Sequence, residues 1–311
     1  MTRSIDDPDV RQEDKTMIGL RLGTVKLYDH EKEWETEASN TISRLKQILG
    51  HVAKDIQHVG STSIVGIKAK PIIDIVLAVD DFKDILGFEK ELRDAGFYYR
   101  PHAQPEIQNQ LLFACGNFYE GTGDLQTHFI HVVLTNSMDW INYINFRDYL
   151  NSTHSAAREY ENLKVSLALQ APADHGRDIY LRGNRDFIVH TLRKALVHSY
   201  LGKMVNIRID RLIESVHPQF PDRIYPVHVG HIPHVANDDG EALGVYWLGA
   251  EIPAEEYTAR IIGIVHRHND GKDMLIAVPD EFHFNRHEIS EALHFQEPYF
   301  EIELISESEM R

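Results

Sequence analysis

An aspartate inside an apolar segment and the small-residue turn before it are the residues of this chain most suited to chemistry. Asp74 has isoleucine or valine at the two positions on either side, and Gly60, Ser61 and Thr62 form the turn. A carboxylate in such a setting needs a cation, a metal or several donors, because its removal from water is costly. The N–H groups and hydroxyls of the turn could hold phosphate oxygens while Asp74 holds a divalent cation. The pattern indicates a site for a metal-bound phosphate compound.

A purely structural interpretation of the same residues stays open. Ser61 and Thr62 could be hydroxyl residues of a tight β-turn that bond the local backbone. Asp74 could then be a structural carboxylate that is ion-paired to Lys70. The two interpretations differ in whether the charges of this segment face a ligand or each other.

Further motifs, from about Val25 to Val197, resemble the GrpB family, a nucleotidyltransferase-like group. They occur in the family's order: His-Val-Gly-Ser-Thr-Ser at 58–63, Ala-Lys-Pro-Ile-Ile-Asp at 69–74, Thr127–Val133, Phe146–Leu150, and Glu159-Tyr160 with Leu163-Lys164. The resemblance implies a mixed sheet flanked by helices and an ancestry in nucleotidyl transfer. The expected cofactor is Mg²⁺ or Mn²⁺, and the expected ligand is a nucleotide or diphosphate.

Two features depart from an active transferase pattern, one at position 76 and one in a later strand. Val76 stands where such enzymes usually have a second carboxylate to bridge two metals. The strand that could supply a third carries His128 and His131 instead. His131, with Asp74 and His58, could form a mixed site for a transition metal or zinc, or these histidines could be hydrogen-bonded residues of the core. Two-metal catalysis is therefore not expected.

Two cations are expected to neutralise a bound phosphate. Lys70 belongs to the motif that ends at Asp74, and Arg147 lies in a predicted helix. The Arg147 guanidinium could clamp a phosphate in bidentate fashion, or it could pair with a neighbouring carboxylate such as Asp148.

Hydrophobic periodicity predicts strands first and helices last in this part of the chain. The predicted helices are Glu31–Leu49, Asp84–Ala95, Trp140–Asn151, Ser155–Leu169 and Asn184–Ser199; the predicted strands end at Val59 or span Ile72–Val79, Leu111–Ala114 and His128–Leu134. These elements predict an α+β domain.

Beyond Gly202 the sequence changes to short strands separated by turn residues. The predicted strands are Val205–Asp210, Val245–Leu248, Thr258–His266, Met274–Val278 and Phe300–Leu304, with one helix at Asn285–Phe295. Five short strands and a helix in this length predict a small closed barrel of the OB type.

Motifs along this second half resemble the soluble inorganic pyrophosphatases. They are Val205–Arg211, Tyr225–Ile232, Asp239-Gly240-Glu241, Trp247-Leu248-Gly249, His266–Asp273, Ala277-Val278-Pro279 and His294–Tyr299. The resemblance implies phosphate contacts from Arg211 and Tyr299, metal contacts from Asp239 and Asp273, and a catalytic carboxylate at Glu241. Other positions of that family's site are occupied by Val229, Gly244, His268, Leu275 and Phe300. In the pyrophosphatase pattern these positions hold a tyrosine at 229, carboxylates at 244 and 268, and lysines at 275 and 300. The loss of these carboxylates and lysines predicts a degenerate site.

Composition limits the remaining possibilities. The chain has 311 residues, a net charge of -16 and one cysteine, Cys115. The acidic balance and the absence of a basic cluster argue against extended nucleic-acid binding. No apolar run is long enough to cross a bilayer, and a single cysteine fits a reducing cytosol, so a cytoplasmic protein is expected. The predicted organisation is a tail at 1–16, a domain at 17–200, a barrel at 204–305 and a tail at 306–311.

Three functions follow as hypotheses. The first is a GrpB-family, nucleotidyltransferase-like protein that binds or acts on a nucleotide with a divalent metal and is fused to a degenerate pyrophosphatase-like barrel. The second is an active inorganic diphosphatase. The third is a non-catalytic module that senses a phosphorylated ligand.

Overall fold

The computed structural model describes residues 18–101, 110–172, 176–216, 224–236, 242–249, 256–268, 272–296 and 301–307. The chain divides into two units, Met1–Leu192 and Arg193–Arg311. Each unit has its own hydrophobic core.

The first unit is a mixed sheet with helices. Its strands are β1 (Leu20–Arg21), β2 (Asp55–Val59), β3 (Ile73–Val79), β4 (Tyr98–Tyr99), β5 (Gln110–Cys115), β6 (Leu125–Gln126) and β7 (His128–Leu134). Its helices are α1 (Lys32–Leu49), α2 (Phe82–Leu86), α3 (Glu89–Asp94), α4 (Asn117–Glu120), α5 (Met138–Ser152), α6 (His154–Gln170) and α7 (Arg177–His198), the last of which continues into the second unit. The main sheet has the order β2-β3-β7-β5-β4, and β1 pairs with β6. Within the main sheet β3 and β7 are parallel, and the other pairs are antiparallel.

Strand β3 lies inside the sheet, between β2 and β7, and its residues are apolar on both faces. On one face Ile75 packs in a core with Trp34 and Leu45 of α1. On the other face Val76 packs with Val59 and Val133, against α5. The mixed sheet predicted from the sequence is confirmed, and β7 has the predicted bounds.

The prediction of one helix over Asp84–Ala95 was wrong. The segment forms two short helices, α2 and α3, with Gly87 and Phe88 between them. Glycine has a low helix propensity, which explains a break at this position.

The second unit is a closed barrel. Its strands are β8 (Met204–Arg211), β9 (His228–Ala236), β10 (Ala242–Trp247), β11 (Glu256–Arg267), β12 (Asp273–Val278) and β13 (Ile302–Ser306), and its helix is α8 (Arg286–Leu293). The order β12-β10-β9-β8-β11 closes through pairing of β11 with β12, and β13 adds to β11. The predicted five-stranded barrel is confirmed as an architecture, although β9 was not among the predicted strands. Polar residues and Pro233 obscure the alternation of β9 in the sequence.

The chain offers no helix, within the ranges given above, that is long and apolar enough to cross a membrane.

Candidate functional site

Asp74 lies near the start of β3, at the end of the β2–β3 pair. It is directly opposite Val59 of β2 and beside Phe129 of β7. Its side chain keeps 27% of its surface exposed, and its Oδ1 atom lies 3.4 Å from Nε2 of His131. The parallel register makes this contact possible, since His131 is paired with Val76, two residues beyond Asp74. The carboxylate is thus partly exposed in an otherwise apolar strand.

The turn after β2 lies against this carboxylate. Gly60 has a φ of 68°, and a Cβ atom added to it would be 2.5 Å from Oδ2 of Asp74. Ser61–Ser63 form a single 3-10 turn, and the Ser63 hydroxyl donates to the Gly60 carbonyl at 2.6 Å. The close approach requires a residue without a side chain at position 60. The structure therefore brings together the turn and the aspartate that the sequence singled out.

A cavity of about 600 Å³ opens at this point. Five residues predicted from the sequence line it: Gly60, Ser61, Lys70, Asp74 and His131. Its other charged lining residues are Arg100, Arg177 and Asp178, and its aromatic lining residues are Phe118, Tyr119, Phe129, Tyr160 and Tyr180. Two arginines and one lysine thus line the cavity together with two carboxylates, one histidine and five aromatic rings.

Two of these cations, Lys70 and Arg177, are half-buried and near each other. The Lys70 ammonium lies 4.8 Å from the centre of the Tyr180 ring. Burial, and then the neighbouring Arg177, lower the pKa of Lys70 to about 8, against a smaller opposing effect of Asp74. Arg177 donates to Oε1 of Gln126 and lies over the Phe129 ring, and burial lowers its pKa. Within the described ranges neither cation forms an ion pair with a carboxylate, so the proposed Asp74–Lys70 pair is absent.

Thr62 lies outside this cavity. It is completely buried, and its hydroxyl bonds Nε2 of His58 at 2.9 Å and lies 3.5 Å from the Ile72 carbonyl. Burial lowers the pKa of His58 to about 4, so this ring is neutral at pH 7. The Thr62 hydroxyl therefore supports the turn, and the prediction that Thr62 contacts phosphate has no support in this geometry.

Arg147 also lies outside the cavity. Its Nη1 atom donates to Oε1 of Gln57 at 2.8 Å and to the His58 carbonyl at 3.1 Å, and its Nη2 atom lies 2.8 Å from Oδ1 of Asp148. The guanidinium ties α5 to β2. Of the two roles considered from the sequence, the structure shows the pairing with Asp148 and not a phosphate clamp.

The mixed metal site of Asp74, His58 and His131 is not assembled. His58 is engaged by Thr62, and only His131 lies beside Asp74. In the parts of the chain that the structure covers, no three His, Cys, Asp or Glu side chains are grouped so that they could hold a metal. A cation at Asp74 would need further ligands from outside the protein.

The barrel residues predicted as a site are only partly described. Asp239, Glu241 and Tyr299 lie outside the described residues. The Arg211 guanidinium lies 5.8 Å from the centre of the Tyr225 ring. Asp273 is buried, with Oδ1 2.6 Å from Nδ1 of His266 and Oδ2 3.3 Å from Nε of Arg193. Both of its oxygens contact these side chains, so a metal at Asp273, as predicted from the sequence, would compete with His266 and Arg193 for the carboxylate.

Sequence reasoning missed Arg100, Arg177 and Tyr180. The signals were local: Arg100 follows two tyrosines, and Arg177 and Tyr180 stand three apart at the start of α7, which places them on one helix face. Nothing in these spacings linked them to Asp74, which stands 26 residues before Arg100 and more than a hundred before Arg177 and Tyr180.

Comparisons with known proteins agree with the described fold. The GrpB protein family matches residues 24–194. The glutamate-rich protein GrpB of Alkalihalophilus pseudofirmus is 40% identical over 159 residues, which cover 51% of this chain and 89% of that protein. The crystal structure of conserved protein GrpB from Enterococcus faecalis has a TM-score of 0.50 and 24% identity, and covers 56% of this chain and 99% of that chain.

The C-terminal part also has a structural neighbour. It is similar to the inorganic pyrophosphatase from Ehrlichia chaffeensis, with 20% identity, a TM-score of 0.29, and coverage of 35% of this chain and 90% of that chain. The family match spans more than half of the chain, and the relative at 40% identity is covered over most of its length. This chain belongs to the GrpB family.

Proposed function

We propose that the first unit binds a small phosphate-bearing ligand, a nucleotide or a diphosphate, together with Mg²⁺ or Mn²⁺ in the cavity around Asp74. The observation that carries this proposal is the pair of half-buried cations, Lys70 and Arg177, without a carboxylate partner among the described residues. Burying like charges side by side is costly, and an anionic ligand would offset that cost. Gly60 and Ser61 line the same cavity, and the N–H groups of this turn would add donors to the anion.

The metal would be shared between the protein and the ligand. Asp74 offers one partly exposed carboxylate, and His131 lies 3.4 Å from it. Magnesium is often held by one or two carboxylates while substrate phosphates and water complete its octahedron. When bound, the metal would supply positive charge against the phosphates. We therefore expect metal and ligand to bind together, with little affinity of either alone.

The aromatic lining favours a ligand that has a ring as well as phosphates. Phe118, Tyr119 and Phe129 border the same cavity as the cations. Ring stacking on such side chains adds affinity without a specific hydrogen-bond pattern. A nucleotide satisfies both features, whereas diphosphate satisfies only the charge.

The barrel is proposed to be inactive as a diphosphatase. Asp273 is held by His266 and Arg193, and a Cβ atom added to Gly244 would be 2.3 Å from Sδ of Met274. A diphosphatase site stabilises its transition state through several charged groups that act together. With Asp273 engaged and no room for a carboxylate at position 244, part of that stabilisation is lost.

The test is isothermal titration calorimetry of the full chain with ATP and with diphosphate, each with and without MgCl₂ or MnCl₂. We expect binding that requires metal, and a Kd raised about tenfold or more in Asp74→Asn. Asp94→Asn is the matched control, because Asp94 is an exposed carboxylate that pairs with Lys90 on α3. Circular dichroism checks that each variant is folded. Failure of the wild type to bind either compound, or unchanged binding by Asp74→Asn, would contradict the proposal.

A further inference from the structure

The segment that carries Lys70 is held from α6 by two charged side chains. The Lys68 N–H donates to Oε1 of Glu161 at 2.8 Å, and the Lys68 carbonyl accepts from Nζ of Lys164 at 2.6 Å. Glu161 and Lys164 are three residues apart on one helix, so they are neighbours on one face. Together they bind both backbone groups of one residue.

A second pair of bonds fixes the next residue. Ala69 exchanges two backbone hydrogen bonds with Tyr28, at 2.8 and 2.9 Å. The Lys70 carbonyl in turn accepts from the Ile72 N–H at 2.8 Å. The backbone that leads into Lys70 is therefore constrained on both sides, and α6 supplies the charged half of that constraint.

Lys164 is an unusual residue for a purely structural contact. It is 1% exposed, and its Nζ lies 4.4 Å from the centre of the Tyr160 ring, which itself lines the cavity. Burial lowers its pKa to about 7; Glu161 opposes that shift, and Lys70 adds to it. Its Nζ is a donor to the Lys68 carbonyl, which an apolar side chain of similar volume would leave without this partner. The buried ammonium therefore acts on the backbone that leads to Lys70.

We propose that Glu161 and Lys164 are positioning residues for anion binding, which hold Lys68 so that the Lys70 ammonium is kept in the cavity. The inference rests on the proposed function, since it needs an anionic ligand at Lys70. Neither residue lines the cavity, so each acts through the Lys68–Lys70 backbone.

The experiment is a double-mutant cycle in the full chain, with magnesium diphosphate as the probe and calorimetric Kd values at pH 7. We expect Lys164→Met to raise Kd about tenfold in the wild-type background. In the Lys70→Met background the same change should have less than about a twofold effect, because its route to the ligand has been removed. Lys46→Met is the control for loss of one positive charge, since Lys46 is exposed on α1.

The outcomes separate this inference from the proposed function. If the wild type binds neither magnesium diphosphate nor magnesium ATP, the proposed function fails; if it binds only magnesium ATP, the same cycle is run with that probe. If it binds but Lys164→Met has no effect, or has the same effect with and without Lys70, the positioning role is overturned. Melting temperatures show whether a variant folds; should Lys164→Met not fold, the same cycle with Glu161→Met decides by the same criterion.

Discussion

The side chain of Asp74 packs directly against the Cα atom of Gly60, so that a methyl group at position 60 would lie 2.5 Å from Oδ2 of Asp74. The turn and the carboxylate thus pack directly against each other. The strand pairing produces this contact, because Val59, the last residue of β2, is in register with Asp74. The site geometry depends on a glycine as much as on the aspartate.

The first prediction compares two glycines that share a positive φ. Gly60 has a φ of 68° and Gly66 a φ of 78°, but a Cβ at Gly66 would meet nothing within 4 Å. Gly66→Ala should lower the free energy of unfolding by about 1–2 kcal/mol from backbone strain alone. Gly60→Ala should lower it by about 2–4 kcal/mol, because the methyl also displaces Asp74. Urea denaturation of both variants measures the difference, and equal losses would contradict the packing of Asp74 on this turn.

The second prediction concerns pH. The pKa of Lys70 is lowered to about 8 in the folded protein, below its ordinary value of 10.5. The unfolded chain therefore binds more protons above pH 8, so Lys70 makes the free energy of unfolding rise as pH rises through 8. Between pH 7 and 9 Lys70 should contribute a positive slope to the free energy of unfolding, and Lys70→Met should lower the observed slope by up to about 1.4 kcal/mol per pH unit. Lys164 contributes in the same direction and should keep part of the slope in the variant.

The measurement for this prediction is chemical denaturation at several pH values for the wild type, Lys70→Met and Lys46→Met. Lys46→Met should have the same dependence of the free energy of unfolding on pH as the wild type, because Lys46 is exposed. A Lys70→Met slope equal to that of the wild type would show that Lys70 is not buried as an unpaired cation.

The third prediction assigns Arg147 to stability. Its guanidinium bonds Gln57 and the His58 carbonyl, and its side chain is 19% exposed. Arg147→Met should lower the free energy of unfolding by about 1–3 kcal/mol, since the His58 carbonyl loses a charged donor. The Kd for ATP with magnesium should stay within about twofold of the wild type. A large loss of affinity in a fully folded variant would restore the phosphate-clamp role inferred from the sequence.

The fourth prediction concerns the barrel. The full chain should release no phosphate from diphosphate with magnesium or manganese in a colorimetric assay. Gly244→Asp, which adds a carboxylate at a position of the pyrophosphatase pattern, should not create activity and should destabilise the fold by about 1–3 kcal/mol, because Sδ of Met274 occupies that space. Adding Met274→Ala should recover part of the lost stability. Phosphate release by the wild type would overturn the degenerate interpretation.

Much of the architecture could be predicted because it depends on local pattern. The apolar run of β3 and the spacing of Trp34, Ala38 and Leu45 on α1 both produced elements close to those observed. The strand β9 could not be predicted in this way, because its polar and proline residues are tolerated only once barrel closure pairs it with β8 and β10. The break between α2 and α3, by contrast, is a local effect of Gly87 that the longer periodicity concealed.

The sequence by itself determined the two-part α+β organisation and the association of Gly60 and Ser61 with Asp74, because adjacent strands and a tight turn are specified by nearby residues. Tertiary structure decided which charges share the cavity. It brought Arg177 from the start of α7 to Lys70, turned Arg147 towards Gln57, and enclosed Asp273 between His266 and Arg193. The physical reason is that ion pairing and burial depend on distances between residues far apart in the chain, which local propensity does not encode.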